Sequence, residues 1–317
     1  MQAQVASKRN LYDELIKLGE DSEPISAQNN PKFRTVIKDE IWVASDVITK
    51  EEAQLLIKLS EDEGYTEALI TTGIGKGVIA KDIRDSKRVM IDDPLTAAYL
   101  FKRFQNLVPR AFEGGMLLSI NERLRFLKYD EAGNNFARHY DGRFPRNKYE
   151  ASLVTIQLYL NEDMTGGETT FFNKCFPGGK LSLNPKTGQV LLFRQAGWLH
   201  EGSPLKSGVK YTIRTEFMYK WFKNSDVEEA QKELKKCGIC DKIPQFIKTN
   251  CDHAFLICDC IPFNDDPDHI LSPNCQVCNK KFNYPKDVGE HLKKKTSEGL
   301  VFAGSGEGKK SDCNIFQ

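Results

Sequence analysis

The sequence predicts an α+β protein in which two N-terminal helices pack on a double-sheet jelly roll of the cupin type, followed by a small zinc-stabilised module. Three observations lead to this fold class. The composition, with 40% hydrophobic and 28% charged residues in 317, is typical of a globular protein. Many short β-rich segments separated by glycine turns occupy residues 122–221. Seven of the nine cysteines fall between Cys237 and Cys278, so the chemistry of the chain changes near residue 236.

Two helices are predicted ahead of the β-rich region from their capping residues. Thr49 and Glu52 have the spacing of a capping box, and the segment AQLLIKLSEDEG that follows has an apolar face. Asp93 is suited to cap a second helix that has Pro94 at its first position. We therefore expect both helices to pack against the sheet through their apolar faces.

Strands are predicted throughout the β-rich region. The segments RLRFLKY, ASLVTIQLYL, TTFF, GQVLLF and KYTIRTEFMY are rich in β-branched and aromatic residues, and glycine turns separate several of them. Helices followed by many short strands favour a sandwich or barrel with helices on one side, and a jelly roll fits that layout.

The chain divides into five predicted segments that differ in composition. The first is polar and is predicted to be disordered apart from a short helix near residues 11–18. A capping box at Ser225 and Glu228 predicts a polar helix after the β-rich domain. The segments are a disordered N-terminus (1–30), the β-rich domain (31–222), a helical linker (223–236), a Cys/His-rich module (237–295) and a flexible tail (296–317).

The charge balance and the hydropathy pattern argue against several classes of partner. With 45 basic and 44 acidic residues, the net charge of +1 gives no global field that would attract nucleic acid or an acidic membrane. No apolar run reaches the length of a membrane span, and the first thirty residues lack the apolar core of a secretory signal. We therefore expect a cytoplasmic or nuclear protein that is not secreted and binds no membrane.

Three side chains in the β-rich domain have the spacing of a metal site. His139 and Asp141 lie two residues apart, so they project from the same face of an extended segment. His200 follows the apolar strand GQVLLF, where it can close the site. Two imidazoles and one carboxylate on one side of a metal form the facial triad of non-heme Fe(II) oxygenases, which leaves positions for a co-substrate and dioxygen.

Two basic residues follow His200 on the next predicted strand. Lys210 and Arg214 alternate onto one face of SGVKYTIRTEF. A cation beside the metal can bind the distal carboxylate of a dicarboxylate co-substrate through charge-assisted hydrogen bonds. Arginine would bind that carboxylate bidentately and lysine as a point charge, and the sequence leaves open which of the two does so.

The residues from about 33 to 221 resemble a 2-oxoglutarate/Fe(II)-dependent dioxygenase of the prolyl 4-hydroxylase-like family. The matching strings are LRFLKYDEAGNNFARHYDG, LVTIQLYLNEDMTGGETTFF, GQVLLFRQAGWLHEGSPL and GVKYTIRTEFMY, in the family's order and spacing. The resemblance implies a double-stranded β-helix fold and the cofactors Fe(II), 2-oxoglutarate and dioxygen, with ascorbate as an optional addition.

The same resemblance implies roles for individual residues. It makes His139, Asp141 and His200 the iron ligands and the catalytic residues. Lys210 matches the family's basic residue for the distal carboxylate of 2-oxoglutarate, and Arg214 is the candidate that shares or takes this role.

Further lining residues are weaker candidates. Tyr129 lies ten residues before His139, where related enzymes have a tyrosine beside the co-substrate, although a core aromatic residue would fit the pattern equally well. Thr155 and Tyr159 are also candidates for lining the site.

The C-terminal cysteines and histidines have the spacing of zinc ligands. Two C-x2-C pairs are the strongest signals, because such a turn directs both thiolates at one ion. The segment CQVCNKKFNYPKDVGEH also resembles the first part of a C2H2 zinc finger, although no second histidine follows His291. Nine candidates suffice for two four-coordinate Zn(II) sites, and metal would supply the folding energy that so small a module lacks. The candidates are Cys237, Cys240, Cys251, His253, Cys258, Cys260, Cys275, Cys278 and His291.

The leading hypothesis is an enzyme that hydroxylates a residue, proline first, in a protein or peptide. Two alternatives stay open: the same oxygenase chemistry on a nucleic-acid base or a small molecule, and an inactive oxygenase-fold scaffold whose zinc module binds a protein partner. Residues 223–317 carry 14 basic and 15 acidic residues, and this balance disfavours nucleic-acid binding. The intact set of candidate iron ligands and the basic residue after them disfavour the scaffold.

Overall fold

The computed structural model of the chain describes residues 11–20, 32–37, 40–71, 77–237, 241–247 and 253–257. Within these ranges, antiparallel strands dominate and four α-helices are found. None of these helices has the length and apolar character that a membrane span requires.

The first helices and strands precede the jelly roll. In chain order they are α1 (Leu11–Glu20), β1 (Lys32–Ile37), β2 (Ile41–Ser45), α2 (Lys50–Glu63), β3 (Thr66–Glu67), β4 (Ile70–Thr71), β5 (Gly77–Val78), β6 (Arg84–Asp85), β7 (Lys87–Asp92) and α3 (Pro94–Phe104). Both capping signals predicted ahead of the β-rich region are confirmed. Thr49 caps α2 in a reciprocal capping box with Glu52, and the Asp93 carboxylate accepts two backbone N–H groups at the start of α3.

Helix α1 lies inside the segment for which the composition predicted disorder. The short helix expected near residues 11–18 is present, so residues 1–30 are not disordered over their whole length. Leu11 and Leu15, one helical turn apart, are buried in the core against α2 and α3. Burial of this apolar pair stabilises a segment whose overall composition is polar. The rest of 1–30 lies outside the described residues.

The strands of the jelly roll and its flanking hairpins begin after α3. In chain order they are β8 (Ala111–Phe112), β9 (Gly115–Ile120), β10 (Arg123–Tyr129), β11 (Asn135–His139), β12 (Pro145–Asn147), β13 (Glu150–Tyr159), β14 (Met164–Gly166), β15 (Thr169–Phe172), β16 (Lys180–Leu183), β17 (Val190–Arg194), β18 (His200–Gly202), β19 (Leu205–Gly208) and β20 (Lys210–Lys220). The five segments predicted as strands correspond to β10, β13, β15, β17 and β20.

Two antiparallel sheets form the jelly roll. The large sheet has the central order β17–β13–β20–β10 and continues through β2 and β1 at one edge and β7 and β3 at the other. The small sheet has the order β16–β15–β18–β11–β6. Between β10 and β20 the chain crosses repeatedly from one sheet to the other, which is the arrangement of a double-stranded β-helix. The fold of this part therefore agrees with the predicted jelly roll.

Alternation of side chains along the strands produces one core outside the large sheet and one between the sheets. Leu124 and Phe126 of β10 pack with Leu56 of α2 and Leu100 of α3. Phe171 of the small sheet packs against the inner face of the large sheet. The residues of β10 that alternate with the outer core therefore face the space between the sheets, where the polar groups described below lie.

The described C-terminal residues pack on the jelly roll. They form β21 (Phe222–Lys223), α4 (Val227–Glu233), β22 (Gln245–Ile247) and β23 (His253–Ile257), and β23 pairs with both β21 and β22. The N–H of Leu256 donates to the carbonyl oxygen of Gly114 at 3.0 Å. Leu256, Leu234 and Cys237 share a buried cluster with Ala111. The start of the predicted Cys/His-rich module is therefore continuous with the domain before it.

The helical linker differs from its prediction at both ends. No capping hydrogen bond is found from a side chain at the start of α4; the Ser225 hydroxyl donates to Asp226 at 2.6 Å instead of capping the N–H of Glu228. The helix ends at Glu233 rather than residue 236, because Leu234 turns into the buried cluster next to Ala111. Tertiary burial thus overrides the helical propensity of the following lysines.

Gly188, in the turn between β16 and β17, has a conformation that only glycine tolerates well. Its φ is +73°, and a Cβ there would lie 2.4 Å from the carbonyl oxygen of Ile48. We expect Gly188→Ala to lower the free energy of unfolding by more than about 2 kcal/mol, measured by chemical denaturation, because a backbone clash adds to left-handed strain. Gly133→Ala is the control, since φ is +95° there but nothing lies within 4 Å of the added carbon. Equal losses in both variants would contradict the contact argument.

Candidate active site

The small sheet brings two histidines and an aspartate together. His139 at the end of β11 and His200 at the start of β18 are directly opposite each other in the antiparallel pairing. Asp141 follows β11 by two residues, and its Oδ1 lies 3.5 Å from Nε2 of His139 and its Oδ2 3.9 Å from Nε2 of His200. The three donor atoms lie within 4.8 Å of one another, and the described ranges contain no other such group. The spacing that suggested a metal site is therefore matched by the geometry.

Hydrogen bonds to backbone carbonyl oxygens orient both imidazoles. Nδ1 of His139 lies 2.8 Å from the carbonyl oxygen of Ala137, and Nδ1 of His200 lies 2.9 Å from that of Trp198. A carbonyl oxygen only accepts, so each Nδ1 carries a proton, and each Nε2 faces the space beside the Asp141 carboxylate. Burial lowers the pKa of His200 to about 4, so this ring is neutral at physiological pH. Two imidazole nitrogens and a carboxylate that converge in this way fit a divalent cation.

Asp141 is buried and ionised. Burial raises its pKa, but the Arg214 guanidinium outweighs burial and holds the pKa well below the usual range. Oδ2 accepts a hydrogen bond of 2.7 Å from the hydroxyl of Thr155. Behind Thr155, Gln195 donates to the same hydroxyl oxygen at 3.3 Å and accepts from Ser152 at 2.7 Å. This buried chain of hydrogen bonds fixes the orientation of the carboxylate.

A pocket extends from the three residues into the space between the sheets. Its empty volume is about 430 Å³, and part of this volume is open to solvent. Aromatic, aliphatic and polar side chains share its wall. It is lined by Leu127, Tyr129, Phe136, His139, Asp141, Gln157, Thr169, Phe193, His200, Glu201, Gly202, Lys210 and Arg214.

Lys210 contributes a buried cation to this pocket. Its ammonium donates to the carbonyl oxygen of Gly167 at 2.6 Å and lies 5.1 Å from the ring centre of Tyr129. Burial lowers the pKa of Lys210 to about 8, and no carboxylate of the described residues lies within ion-pair distance of it. Thr212 is next on the same face of β20, and its buried Oγ1 has no hydrogen-bond partner among the described residues. A bound carboxylate would satisfy both groups.

Arg214 contacts carboxylates of the protein itself. Its Nη2 lies 2.8 Å from Oδ1 of Asp141 and its Nη1 3.5 Å from Oε1 of Glu216. Burial lowers the pKa of Arg214, but these two carboxylates outweigh burial and raise it above the usual value. The geometry therefore favours Lys210 over Arg214 as the anchor for an added dicarboxylate, and the assignment stays a prediction.

The other predicted lining residues are in or beside the pocket. Tyr129 is buried in its wall, and Thr155 contacts Asp141. The hydroxyl of Tyr159 is hydrogen-bonded to Thr169 at 2.7 Å, which leaves this tyrosine in the wall of the inner core.

A partly buried ionic network connects the loops that carry the aspartate and the second histidine. Arg194 donates to Glu113 at 2.9 Å and to Glu40 at 3.1 Å. Arg143, two residues after the aspartate, donates to the other oxygen of Glu113. The indole N–H of Trp198, two residues before the second histidine, donates to Glu40 at 2.8 Å. We call these five residues the ionic brace, because they hold both loops to one another.

Sequence reasoning missed two residues next to the first histidine. The ring of Phe136 stacks on His139 with the centroids 3.7 Å apart, and the guanidinium of Arg84 lies 4.7 Å from the Phe136 centroid. Residues three apart on a regular strand face opposite sides, so the alternation of the sequence gave no signal for this stacking. An irregularity in the β11–β18 register between Phe136 and His139 brings the rings together.

Two of the nine zinc candidates lie in the described residues. Cys237 is buried, and its sulfur accepts a hydrogen bond of 3.5 Å from the backbone N–H of Arg110. His253 is buried in β23, with its ring centroid 5.9 Å from that of Tyr149. The other candidates lie outside the described residues, and zinc binding stays a prediction. They are Cys240, Cys251, Cys258, Cys260, Cys275, Cys278 and His291.

Comparison with protein families supports the same interpretation of the central strands of the jelly roll. Residues 124–219 match the 2OG-Fe(II) oxygenase superfamily. This segment is a 2OG-Fe(II) oxygenase domain. The match spans β10 to β20 and includes all three candidate metal ligands together with Lys210 and Arg214. The superfamily implies Fe(II) and 2-oxoglutarate as cofactors of the oxygenase domain. Among curated proteins, none shows a significant match to the chain.

Solved structures similar to the chain include several prolyl hydroxylases. A prolyl hydroxylase from Trichoplax adhaerens, in complex with a peptide fragment of the hypoxia inducible factor oxygen degradation domain, is 17% identical with a TM-score of 0.44, over 64% of this chain and 91% of that one. A viral collagen prolyl hydroxylase from Paramecium bursaria Chlorella virus-1 is 18% identical with a TM-score of 0.40, over 57% and 96%. A Pseudomonas putida prolyl-4-hydroxylase is 17% identical with a TM-score of 0.40, over 61% and 95%.

The hydroxyl of Thr155 offers a test of how Asp141 is oriented. Thr155→Val keeps the shape of the side chain but removes the 2.7 Å hydrogen bond to Oδ2. We expect the affinity of the site for Mn(II) or Co(II), measured by calorimetric titration, to fall about 10- to 100-fold.

Thr170→Val is the matched control for this variant. Thr170 is also buried on a strand of the jelly roll, but its hydroxyl contacts Ser182 and Ser203. A loss of metal affinity in the control as large as in Thr155→Val would show that the effect is not specific to the aspartate.

Proposed function

We propose that the protein is an Fe(II)- and 2-oxoglutarate-dependent dioxygenase that hydroxylates a C–H bond of its substrate. The observation that carries the proposal is the convergence of His139, Asp141 and His200 at a pocket that also contains the buried ammonium of Lys210. Two imidazoles and a carboxylate are the ligand set of non-heme iron oxygenases. The match of residues 124–219 to the oxygenase superfamily supports the same reaction class.

The residues present fit both cofactors. His139, Asp141 and His200 would hold Fe(II), and Lys210 with Thr212 would bind the distal carboxylate of 2-oxoglutarate. When bound, these groups and dioxygen supply the oxidising chemistry, in which 2-oxoglutarate becomes succinate and carbon dioxide while the substrate gains a hydroxyl group. The protein itself contributes binding, orientation and exclusion of water.

The aromatic wall of the pocket provides that exclusion. Phe136 covers one face of His139, and Phe193 packs edge-on against His200 with the centroids 4.7 Å apart. The buried ring of Tyr129 has its centre 5.1 Å from the ammonium of the lysine. Thr155 keeps the carboxylate of the aspartate in one orientation during turnover. The low dielectric of this pocket strengthens the attraction between the lysine and an anionic co-substrate.

For the substrate we propose a residue of a protein or peptide, proline first. The sequence resemblance to prolyl 4-hydroxylase-like enzymes supports this choice. Tyr140 and Phe144, which flank the aspartate in sequence, are exposed aromatic side chains that suit contacts with a peptide. Oxidation of a nucleic-acid base or a small molecule remains the alternative within the same reaction class. We keep the cytoplasm or nucleus as the proposed location.

Removal of a predicted iron ligand tests the reaction class. We expect His139→Ala and Asp141→Ala to reduce 2-oxoglutarate-dependent succinate formation to background, because two remaining ligands hold Fe(II) poorly. Succinate can be measured by mass spectrometry after Fe(II) is added to the protein without oxygen and the reaction is started with air. Lys102→Ala, on the exposed surface of α3, is the control. Unchanged turnover in either ligand variant would refute the iron site, and an absence of turnover in the unmodified protein would favour the scaffold.

The depressed pKa of Lys210 leads to a pH dependence of co-substrate binding. Burial lowers the pKa of Lys210 to about 8, so the ammonium loses its charge as the pH rises through that value in the protein without co-substrate. A dicarboxylate needs the charged form, so its affinity should be constant below about pH 7 and fall by up to about tenfold per unit above about pH 8. Calorimetry with Mn(II) and 2-oxoglutarate measures this profile. Lys210→Met should bind weakly at every pH and lack the step, and a flat profile in the unmodified protein would exclude Lys210 as the anchor.

A further inference from the structure

Four arginines lie together between the iron site and the outer edge of the large sheet. Arg125 of β10 is opposite Arg214 of β20, and Arg88 of β7 is opposite the pocket residue Leu127 of β10. Arg84 comes from β6 of the small sheet, where its guanidinium lies over the ring of Phe136. We call Arg84, Arg88, Arg125 and Arg214 the arginine cluster.

Only half of the arginine cluster is neutralised. Arg125 is bonded to Glu216 at 2.8 Å, and Arg214 is bonded to the candidate iron ligand Asp141. The side chain of Arg84 donates to the hydroxyl of Ser86 at 3.2 Å, which carries no charge. Among the described residues, no carboxylate lies within 4 Å of the guanidinium of Arg84 or Arg88.

Arg123 shows how an arginine of the same face of the sheet is normally satisfied. It binds both carboxylate oxygens of Asp92 on the neighbouring strand, at 2.8 and 2.7 Å. Arg88 is on the strand of that aspartate, four residues earlier, and has no equivalent partner in the part of the chain that the structure describes. The two arginines lie on the same face of the sheet, so they differ in which carboxylates are near them and not in their orientation on the strand.

The electrostatic environment of Arg88 is that of an anion site. Burial and the nearby cations Arg84, Arg125, Arg123 and Arg214 lower the pKa of Arg88 to about 10. The guanidinium is still charged at neutral pH, so its repulsion with the other arginines persists. Iron binding would neutralise the aspartate that faces Arg214 and would leave the cluster more positive. A bound anion relieves this repulsion.

We propose that Arg84 and Arg88 bind the carboxylate of an acidic residue in the peptide substrate and thereby place the target residue at the iron site. This proposal rests on the proposed function and specifies its substrate class. Arginine is suited to the role because its planar guanidinium binds a carboxylate through two parallel hydrogen bonds. The co-substrate does not occupy this position in the proposal, because Lys210 and Thr212 are its anchor.

Strand geometry limits where the acidic residue lies in the peptide. Arg88 is on the second strand from β20, and adjacent strands are about 4.8 Å apart, so Arg88 and Arg214 are separated by roughly 10 Å across the sheet. An extended peptide advances about 3.3 Å per residue. The acidic residue should therefore lie within about three residues of the hydroxylated one.

A peptide scan tests this proposal on the full chain loaded with Fe(II) and 2-oxoglutarate. The probes are alanine-rich peptides with one central proline and a single Glu placed at each position before or after it, each compared with the matching Gln peptide. Hydroxylation is followed by mass spectrometry, and binding of the labelled peptides to the Mn(II)-loaded protein is followed by fluorescence anisotropy. We expect Glu at one or two positions near the proline to raise both kcat/KM and affinity about tenfold or more over Gln.

Variants assign this preference to the proposed residues. Arg88→Gln and Arg84→Gln should each remove most of the preference for Glu over Gln, whereas Arg123→Gln should retain it. Arg88→Glu should reverse the preference toward peptides with Lys at the same position. Succinate formation without peptide should be unchanged in Arg123→Gln, and thermal melting confirms that all four variants fold.

Several outcomes would overturn the proposal. They are equal turnover and binding of the Glu and Gln peptides at every position, a loss in Arg123→Gln as large as in Arg88→Gln, and a single-stranded oligonucleotide that binds through Arg84 and Arg88 and is oxidised instead. If 2-oxoglutarate is consumed but no peptide is hydroxylated, the anisotropy measurements decide between the outcomes. Tighter binding of the Glu peptides than of the Gln peptides supports the proposal, and equal binding overturns it. Failure of the proposed function itself is recognised separately, because it would abolish succinate formation and 2-oxoglutarate binding without any peptide.

Discussion

The burial of one ionised carboxylate is the constraint on which the organisation of this protein depends. Asp141 belongs to a loop after the small sheet, but the groups that stabilise its charge, Arg214 and Thr155, belong to the large sheet. An isolated carboxylate in the interior would be costly, so the two sheets must approach each other closely enough to supply a cation and a hydroxyl donor. The same approach creates the narrow space that the candidate metal site and Lys210 share. Stability and chemistry therefore impose the same geometry.

The ionic brace extends this constraint to the loops outside the sheets. Arg194 links Glu40 and Glu113, and these carboxylates accept hydrogen bonds from Trp198 and Arg143 on the two loops that carry candidate metal ligands. Buried ion pairs contribute little net stability when their desolvation is included. Their directional bonds do restrict where each loop can lie. We regard the brace as a device for precision, since a metal site tolerates errors of only a few tenths of an ångström in ligand position.

Features that depend on residues close in sequence were predicted more completely than features that depend on which strands pair. Thr49 and Asp93 cap helices as expected, because capping depends on residues within one turn. The candidate iron site could be predicted because two of its residues are two positions apart in an extended segment and the third follows an apolar strand. Arg214 could not be assigned from its strand face alone, since its engagement with Asp141 depends on which strands are neighbours. Phe136 was missed for a related reason, because a local irregularity in β11 cancels the alternation on which sequence reasoning relies.

After α4 the chain packs back on the jelly roll, and this contact affects how cooperatively the protein unfolds. Strand β23 pairs with β21, and Leu256 is held to Gly114 by a backbone hydrogen bond and by burial beside Ala111. A segment more than a hundred residues distant in sequence thus covers the hairpin that precedes β10. Thermal loss of either part would expose apolar surface on the other, so the two should melt in a single transition. Ligands that stabilise the pairing of β23 would then raise the melting temperature of the jelly roll without touching its pocket.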